Sequence, residues 1–246
     1  MRKIFMCPDN RDTPFCPGKE GEIKMSFVVA IDGPAGSGKG TVTKLIAERL
    51  GFVTIDTGAM YRCVTVQALR NNILASETEK IEEMMKDISI DMKKENGVQR
   101  VFLNGEDVTK EIRTPIVDKN VSAFSALPVV RNKITPIQRK MGQNGNVIME
   151  GRDIGTVVFP DADVKIYLDA SDEEIARRRY KQNLERGIDV TYEQVLEDIK
   201  RRNELDSHRE VAPLKKAEDA VYLDSTSLNI EQVVEKIIGI IQNKLK

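Results

Sequence analysis

The residues best suited to chemistry lie in one run, Val28-Val29-Ala30-Ile31-Asp32-Gly33-Pro34-Ala35-Gly36-Ser37-Gly38-Lys39-Gly40-Thr41. A loop that wraps a phosphate needs unusual backbone dihedrals and a close approach of its N–H groups, which glycine permits and larger side chains block. Lys39 adds a mobile positive charge. The amphipathic pattern that follows, Val42, Leu45, Ile46 and Leu50 closed by Gly51, predicts a helix. Its N-terminus would contribute unpaired donors and partial positive charge to the same point. Gly33-x4-Gly38-Lys39 has phosphate-loop spacing, with Gly40 where Ser or Thr usually follows and Thr41 next. A glycine-rich turn between a strand and a helix can bind nothing, but a lysine at this offset favours a di- or triphosphate.

Other residues gain meaning only from their neighbours. Glu150-Gly151-Arg152-Asp153-Ile154-Gly155-Thr156 follows Asn146-Val147-Ile148-Met149, so it stands at the end of a predicted strand. Arginine suits phosphate because its planar fork donates two parallel hydrogen bonds and stays charged at any working pH. Taken alone, Tyr61-Arg62 reads as an exposed pair at a helix start, and Ser122 and Arg131 read as solvent-facing residues. Arg177, Arg178 and Arg179 read as a solvated face, and helical spacing forbids all three from facing one point. Arg202 and Asp206 have the spacing of an i,i+4 surface pair. His208, the single histidine, has no motif partner and is taken as incidental.

The elements that must position these groups alternate strand and helix. Val28–Ile31, Phe52–Asp56, Asn146–Met149, Val164–Leu168 and Ala220–Asp224 predict five parallel strands with helices on both faces, an α/β architecture. Between them, Asp87 to Arg113 changes from helical to alternating periodicity, Ile88–Met92 and Val98–Leu103, with turns at Glu95-Asn96-Gly97 and Asn104-Gly105. This predicts a small inserted antiparallel sheet over about 87–113. Val117 to Arg139 is expected to be helical and interrupted at Pro128 and Pro136. Helices are expected over Ser171–Arg186, Tyr192–Asp206 and the closing Ile230–Ile241.

Composition narrows the class. The 246 residues carry 38 Lys and Arg against 39 Asp and Glu, a net charge of −1, which argues against a nucleic-acid polymer as partner. Cys7, Cys16 and Cys63 lack metal-like spacing, fit a reducing cytoplasm and support neither zinc nor redox chemistry. No run approaches the roughly 18 to 20 apolar residues needed to cross a bilayer. Residues 1–24 carry three prolines and little periodicity; they read as a mobile N-terminal extension, with Met25 as a candidate start.

The run Gly33-Pro34-Ala35-Gly36-Ser37-Gly38-Lys39-Gly40-Thr41 resembles the phosphate loop of nucleoside monophosphate kinases. With Asp56-Thr57-Gly58-Ala59-Met60-Tyr61-Arg62, Glu150–Thr156 and Arg202–Arg209, residues 27 to about 240 resemble the bacterial cytidylate kinase family. The resemblance implies a P-loop NTPase three-layer fold over 25–246, with a monophosphate-binding region at 57–145 and a short lid at 171–187. It implies a cytoplasmic protein, as a monomer, that uses ATP with Mg²⁺ to phosphorylate CMP and dCMP.

The same resemblance assigns roles. Gly33 through Thr41 would hold ATP; Thr57, Tyr61 and Arg62 would bound the monophosphate, with Arg62 on its phosphate; Ser122 and Arg131 would reach the base. Arg152, Arg202 and Arg209 would hold phosphate, Asp206 the ribose, and Lys39, Arg152 and Arg178 would act in the transfer. Asp153 suits cytosine, whose amino group donates to a carboxylate where uracil's carbonyl is repelled. No protein ligand is assigned to the metal, Thr41 being the candidate group near it, because Gly40 cannot ligate. The family usually carries Asp where this chain has Glu150, and Glu150 is given no role. Two rivals are a kinase for UMP or AMP and a GTP-binding switch. For the second, an Asn-Lys-x-Asp motif is missing, the nearest stretch being Asn132-Lys133-Ile134-Thr135.

Overall fold

The computed structural model describes residues 26–95, 98–143, 145–185 and 187–246; the expected extension, Cys7, Cys16, Asn96, Gly97 and Arg186 lie outside them. In chain order the elements begin with β1 (Val28–Asp32), α1 (Lys39–Leu50), β2 (Val53–Asp56), α2 (Thr57–Arg70) and α3 (Thr78–Lys86). They continue with β3 (Ile90–Glu95), β4 (Val98–Leu103), β5 (Glu106–Asp107), α4 (Pro115–Ser125) and α5 (Pro128–Gly142). The chain ends with β6 (Val147–Gly151), β7 (Val164–Asp169), α6 (Asp172–Glu185), α7 (Tyr192–His208), β8 (Val221–Asp224) and α8 (Ile230–Leu245). These fall into two compact units, one of Phe27–Ile55 with Asn146–Lys246 and one of Asp56–Gly145.

The first unit is built on a five-stranded sheet in the order β2-β6-β1-β7-β8. The central β1 pairs in parallel with both β6 and β7, and every one of its residues is buried, as the unbroken apolar run requires of a strand covered on both faces. Val29 and Ile31 share a core with Val42 and Ile46 of α1 and with Val234, Ile237 and Ile241 of α8. α8 opens with a capping box in which Asn229 accepts from the Gln232 N–H and Gln232 from the Asn229 N–H, both at 2.9 Å. α6 and α7 enclose a core of their own, with Ile175, Ala176, Val195 and Ile199.

The second unit contains the expected antiparallel insertion as a three-stranded sheet, β3-β4-β5, whose last strand is only two residues long. Its core joins Met60 and Val64 of α2, Ile81 of α3, Leu103 of β4 and Ile134 of α5. One expectation is corrected here. Pro128 sits at the first turn of α5 and starts a helix, but Pro136 lies inside that helix and does not interrupt it. An internal proline costs roughly 3 kcal/mol of helix stability. Buried Val130 and Ile134 on the same helix offset that cost through packing.

Ile237, fully buried between α8 and the sheet, tests this packing. Ile237→Ala should cost about 2–5 kcal/mol and lower the midpoint of urea unfolding followed by circular dichroism; an unchanged midpoint would contradict the core described.

Candidate functional site

The phosphate-loop run leaves the C-terminal end of β1 and enters α1 with the geometry that its glycines demand. A Cβ on Gly33, whose φ is +151°, would lie 2.0 Å from the Leu168 carbonyl oxygen, and one on Gly36, at φ +83°, would lie 2.6 Å from Ile175 Cγ2. Only glycine fits either position, so the loop is wedged between the end of β7 and the start of α6. Lys39 is buried, and its Nζ donates to the carbonyls of Gly33 at 2.8 Å and Pro34 at 2.7 Å and to Ser37 Oγ at 3.2 Å. Burial, and then the neighbouring Arg152 charge, push the Lys39 ammonium down to about 7, against the opposing pull of Glu150 and Asp32. A Cβ on Gly40 would come 3.2 Å from Glu150 Oε1, which puts that carboxylate against the opening turn of α1; Thr41 is exposed.

Parallel pairing sets Asp32 opposite Gly151, so Gly33 and Arg152 leave neighbouring strands at the same end. Asp32 ties the two loops together. Its carboxylate accepts from the Ile154 N–H at 2.8 Å and the Gly155 N–H at 2.7 Å, at the opening of a single π turn over Ile154–Val158. Burial raises the Asp32 carboxyl to about 6 in spite of those two bonds.

Arg152 Nε pairs with Asp206 Oδ2 of α7 at 3.1 Å, and Arg209 NH2 with Asp153 Oδ1 at 3.5 Å. Arg209 Nε also donates to the Ala212 carbonyl at 2.6 Å. The structure therefore gathers Arg152, Asp153, Asp206 and Arg209. Arg202 lies in the same helix as Asp206, and its charge acts on Lys39. Of the arginine run, Arg178 faces the phosphate loop: its NH1 lies 3.9 Å from where a Gly38 Cβ would be. Arg178 is anchored by Glu174 at 2.7 Å and by the Ser225 hydroxyl and carbonyl at 3.3 and 2.7 Å. Arg177 instead pairs with Glu174 from a largely exposed position. Hydrogen bonds from Arg177 first, and from Arg178, hold the Glu174 carboxyl down to about 2.

In the second unit, Asp56 caps α2 by accepting from the Ala59 N–H at 3.0 Å, and buried Thr57 begins the helix. Buried Tyr61 carries the Arg131 guanidinium over its ring, 5.2 Å from the centroid, and Arg131 donates to the Ser125 carbonyl at 2.9 Å. Ser122 lies on α4 with Ser125, one turn away. Arg62 donates to the Ile112 carbonyl at 3.1 Å and pairs with Asp118. Local patterns in the sequence did not mark Asp32, Ser225, Glu174 and Ile175 as supports of the loops in the first unit, or Asp118 as the partner of Arg62 in the second. Only Asp32 had a local feature that could have pointed to it, a charged residue ending an apolar strand; the others act across long stretches of chain.

The sequence model of the cytidylate kinase family matches residues 29–243. The cytidylate kinase of Bacillus subtilis (strain 168) is 48% identical over 223 residues, covering 91% of this chain and 99% of that protein. That of Carboxydothermus hydrogenoformans is 49% identical over 216 residues, 88% of this chain and 97% of that protein. That of Caldanaerobacter subterraneus subsp. tengcongensis is 49% identical over 226 residues, with 91% and 98% covered. The chain belongs to the cytidylate kinase family. The match spans the stretch over which the sequence resembles that family, and the parallel α/β sheet and the antiparallel insertion are both present. Among the described residues no helix is long and apolar enough to cross a membrane.

The low value of Lys39 makes a prediction for this kinase. A polyanion binds the ammonium form more tightly, so deprotonation of the free protein above pH 7 opposes binding. The Kd for ATP, measured by calorimetry, should weaken by up to about tenfold per unit between pH 7 and 9 and should lose that dependence in Lys39→Arg. A flat profile in the native protein would contradict the buried, depressed lysine.

Proposed function

We propose that the chain catalyses reversible transfer of the γ-phosphoryl group of ATP to CMP and dCMP, giving ADP with CDP or dCDP, within pyrimidine nucleotide metabolism. The observation that carries the reading is the pairing of two loops on neighbouring strands, one built for a polyphosphate and the other ending in Arg152-Asp153, within a chain of the cytidylate kinase family.

In the forward direction an oxygen of the acceptor phosphate attacks the γ-phosphorus as the bond to the β,γ-bridging oxygen breaks and ADP leaves. The nucleophile is already anionic, so positioning and charge neutralisation do the catalysis and no general base is assigned. Lys39 and the amides of Gly33–Thr41 hold the donor. Arg152 and Arg178 neutralise charge on the group in transit, and Arg62, Arg202 and Arg209 hold the acceptor phosphate. Asp206 takes the ribose. Tyr61 and Thr57 bound the monophosphate, and Ser122 and Arg131 approach the base. Asp153, oriented by Arg209, accepts from the cytosine amino group.

Among the described residues there is no cluster of three or more His, Cys, Asp or Glu able to hold a metal. Magnesium bound together with ATP would neutralise charge on its phosphates. Glu150, against Gly40, and the exposed Thr41 hydroxyl are oxygen donors of the kind that a hydrated magnesium ion accepts.

Initial rates of ADP release should be high with CMP and dCMP and low with UMP and AMP. Arg152→Ala should lower kcat by about 10²–10³. Asp153→Asn should cut the preference for CMP over UMP by about 10- to 100-fold. A native preference for UMP or AMP would overturn the choice of base, and nucleotide binding without acceptor-dependent turnover would favour a switch protein.

A further inference from the structure

Arg62 is held at two points within its own unit. One terminal nitrogen donates to the Ile112 main-chain carbonyl at 3.1 Å, and the other pairs with Asp118 Oδ1. Asp118 stands in the first turn of α4, which packs beside α2. The two side chains are 12% and 20% exposed, so solvent does not wash out the pair. A carboxylate presents an arginine fork with the same planar oxyanion that a phosphate presents.

We propose that Asp118 sets how tightly the acceptor phosphate is held, by competing with that phosphate for the Arg62 guanidinium. This rests on the reading of Arg62 as an acceptor-phosphate ligand. The incoming phosphate must displace the Asp118 carboxylate or share the fork with it. Displacement costs the Asp118 carboxylate its pairing with Arg62, and sharing brings two anions together. Both outcomes loosen CMP and dCMP, while ATP, which does not use Arg62, is unaffected. Asp118 also lies where a negative charge favours the start of α4, and that alone would make it a structural residue. The two roles differ in sign: loss of a purely structural carboxylate cannot tighten a substrate.

Asp118→Asn keeps the shape of the side chain and one acceptor for Arg62 while removing the charge. The expected result is a fall of about three- to tenfold in KM for CMP and dCMP, with KM for ATP unchanged. Asp118→Ala should move KM in the same direction. Competitive inhibition by cytidine, which has no phosphate, should be the same in both proteins. In an Arg62→Ala background the Asp118→Asn change should have no effect on KM for CMP. If Arg62→Ala raises KM for CMP but Asp118→Asn leaves it unchanged or raises it, competition by Asp118 is wrong and the role of Arg62 stands. Competition is equally wrong if Asp118→Asn lowers KM to the same extent without Arg62. If Arg62→Ala leaves KM for CMP unchanged, the phosphate role of Arg62 fails and the competition fails with it.

Discussion

The buried carboxylate of Asp32 is the constraint on which the first unit's site depends. It ends the central strand, immediately precedes the phosphate loop, and accepts both N–H groups that open the turn after Arg152-Asp153. One side chain therefore fixes the spacing of two loops on neighbouring strands. Its carboxyl is raised from 3.8 to about 6 by burial, so its contribution to stability is fullest below pH 3.8 and is lost as pH rises through about 6. At neutral pH the ionised group supports the fold less than the protonated group does at low pH. That loss suits a site where geometry is favoured over stability.

A second regularity runs through the first unit: its gathered cations are held by acceptors of the protein's own. Lys39 is held by two loop carbonyls and a hydroxyl, Arg152 by Asp206, Arg209 by Asp153 and a carbonyl, and Arg178 by Glu174 and Ser225. Fixed donors need little reorganisation as charge develops in a loose phosphoryl transition state, which is where electrostatic catalysis gains most. The same partners let a chain with a net charge of −1 concentrate positive charge locally. The long-range field of a strongly basic protein is not required.

Local patterns in the sequence reached the elements whose causes are local. The apolar run before Gly33, the periodicity after Lys39 and the alternation around Val98–Leu103 each reappear as β1, α1 and β4, because strand and helix periods are written into neighbouring residues. Pro136 shows where such reading stops, since tertiary packing along α5 overrides a helix-breaking residue. Pairings across the sheet, such as Asp32 with Ile154 and Gly155 or Arg178 with Ser225, join residues far apart in the chain and leave no mark in either local stretch. Glu150 against Gly40 is a contact of the same kind: its carboxylate lies 3.2 Å from where a Cβ on Gly40 would be, a proximity visible only once β6 lies beside β1.

The central claim is that the polyphosphate cradle at the mouth of α1 delivers its terminal phosphoryl group to a second nucleotide and not to water. Rapid-quench mixing of the protein with ATP labelled in the γ-phosphate, in the presence and absence of CMP, tests this most directly. The label should appear in CDP within a single turnover and stay in ATP when CMP is left out. Label recovered as inorganic phosphate at the same rate with or without CMP would contradict it.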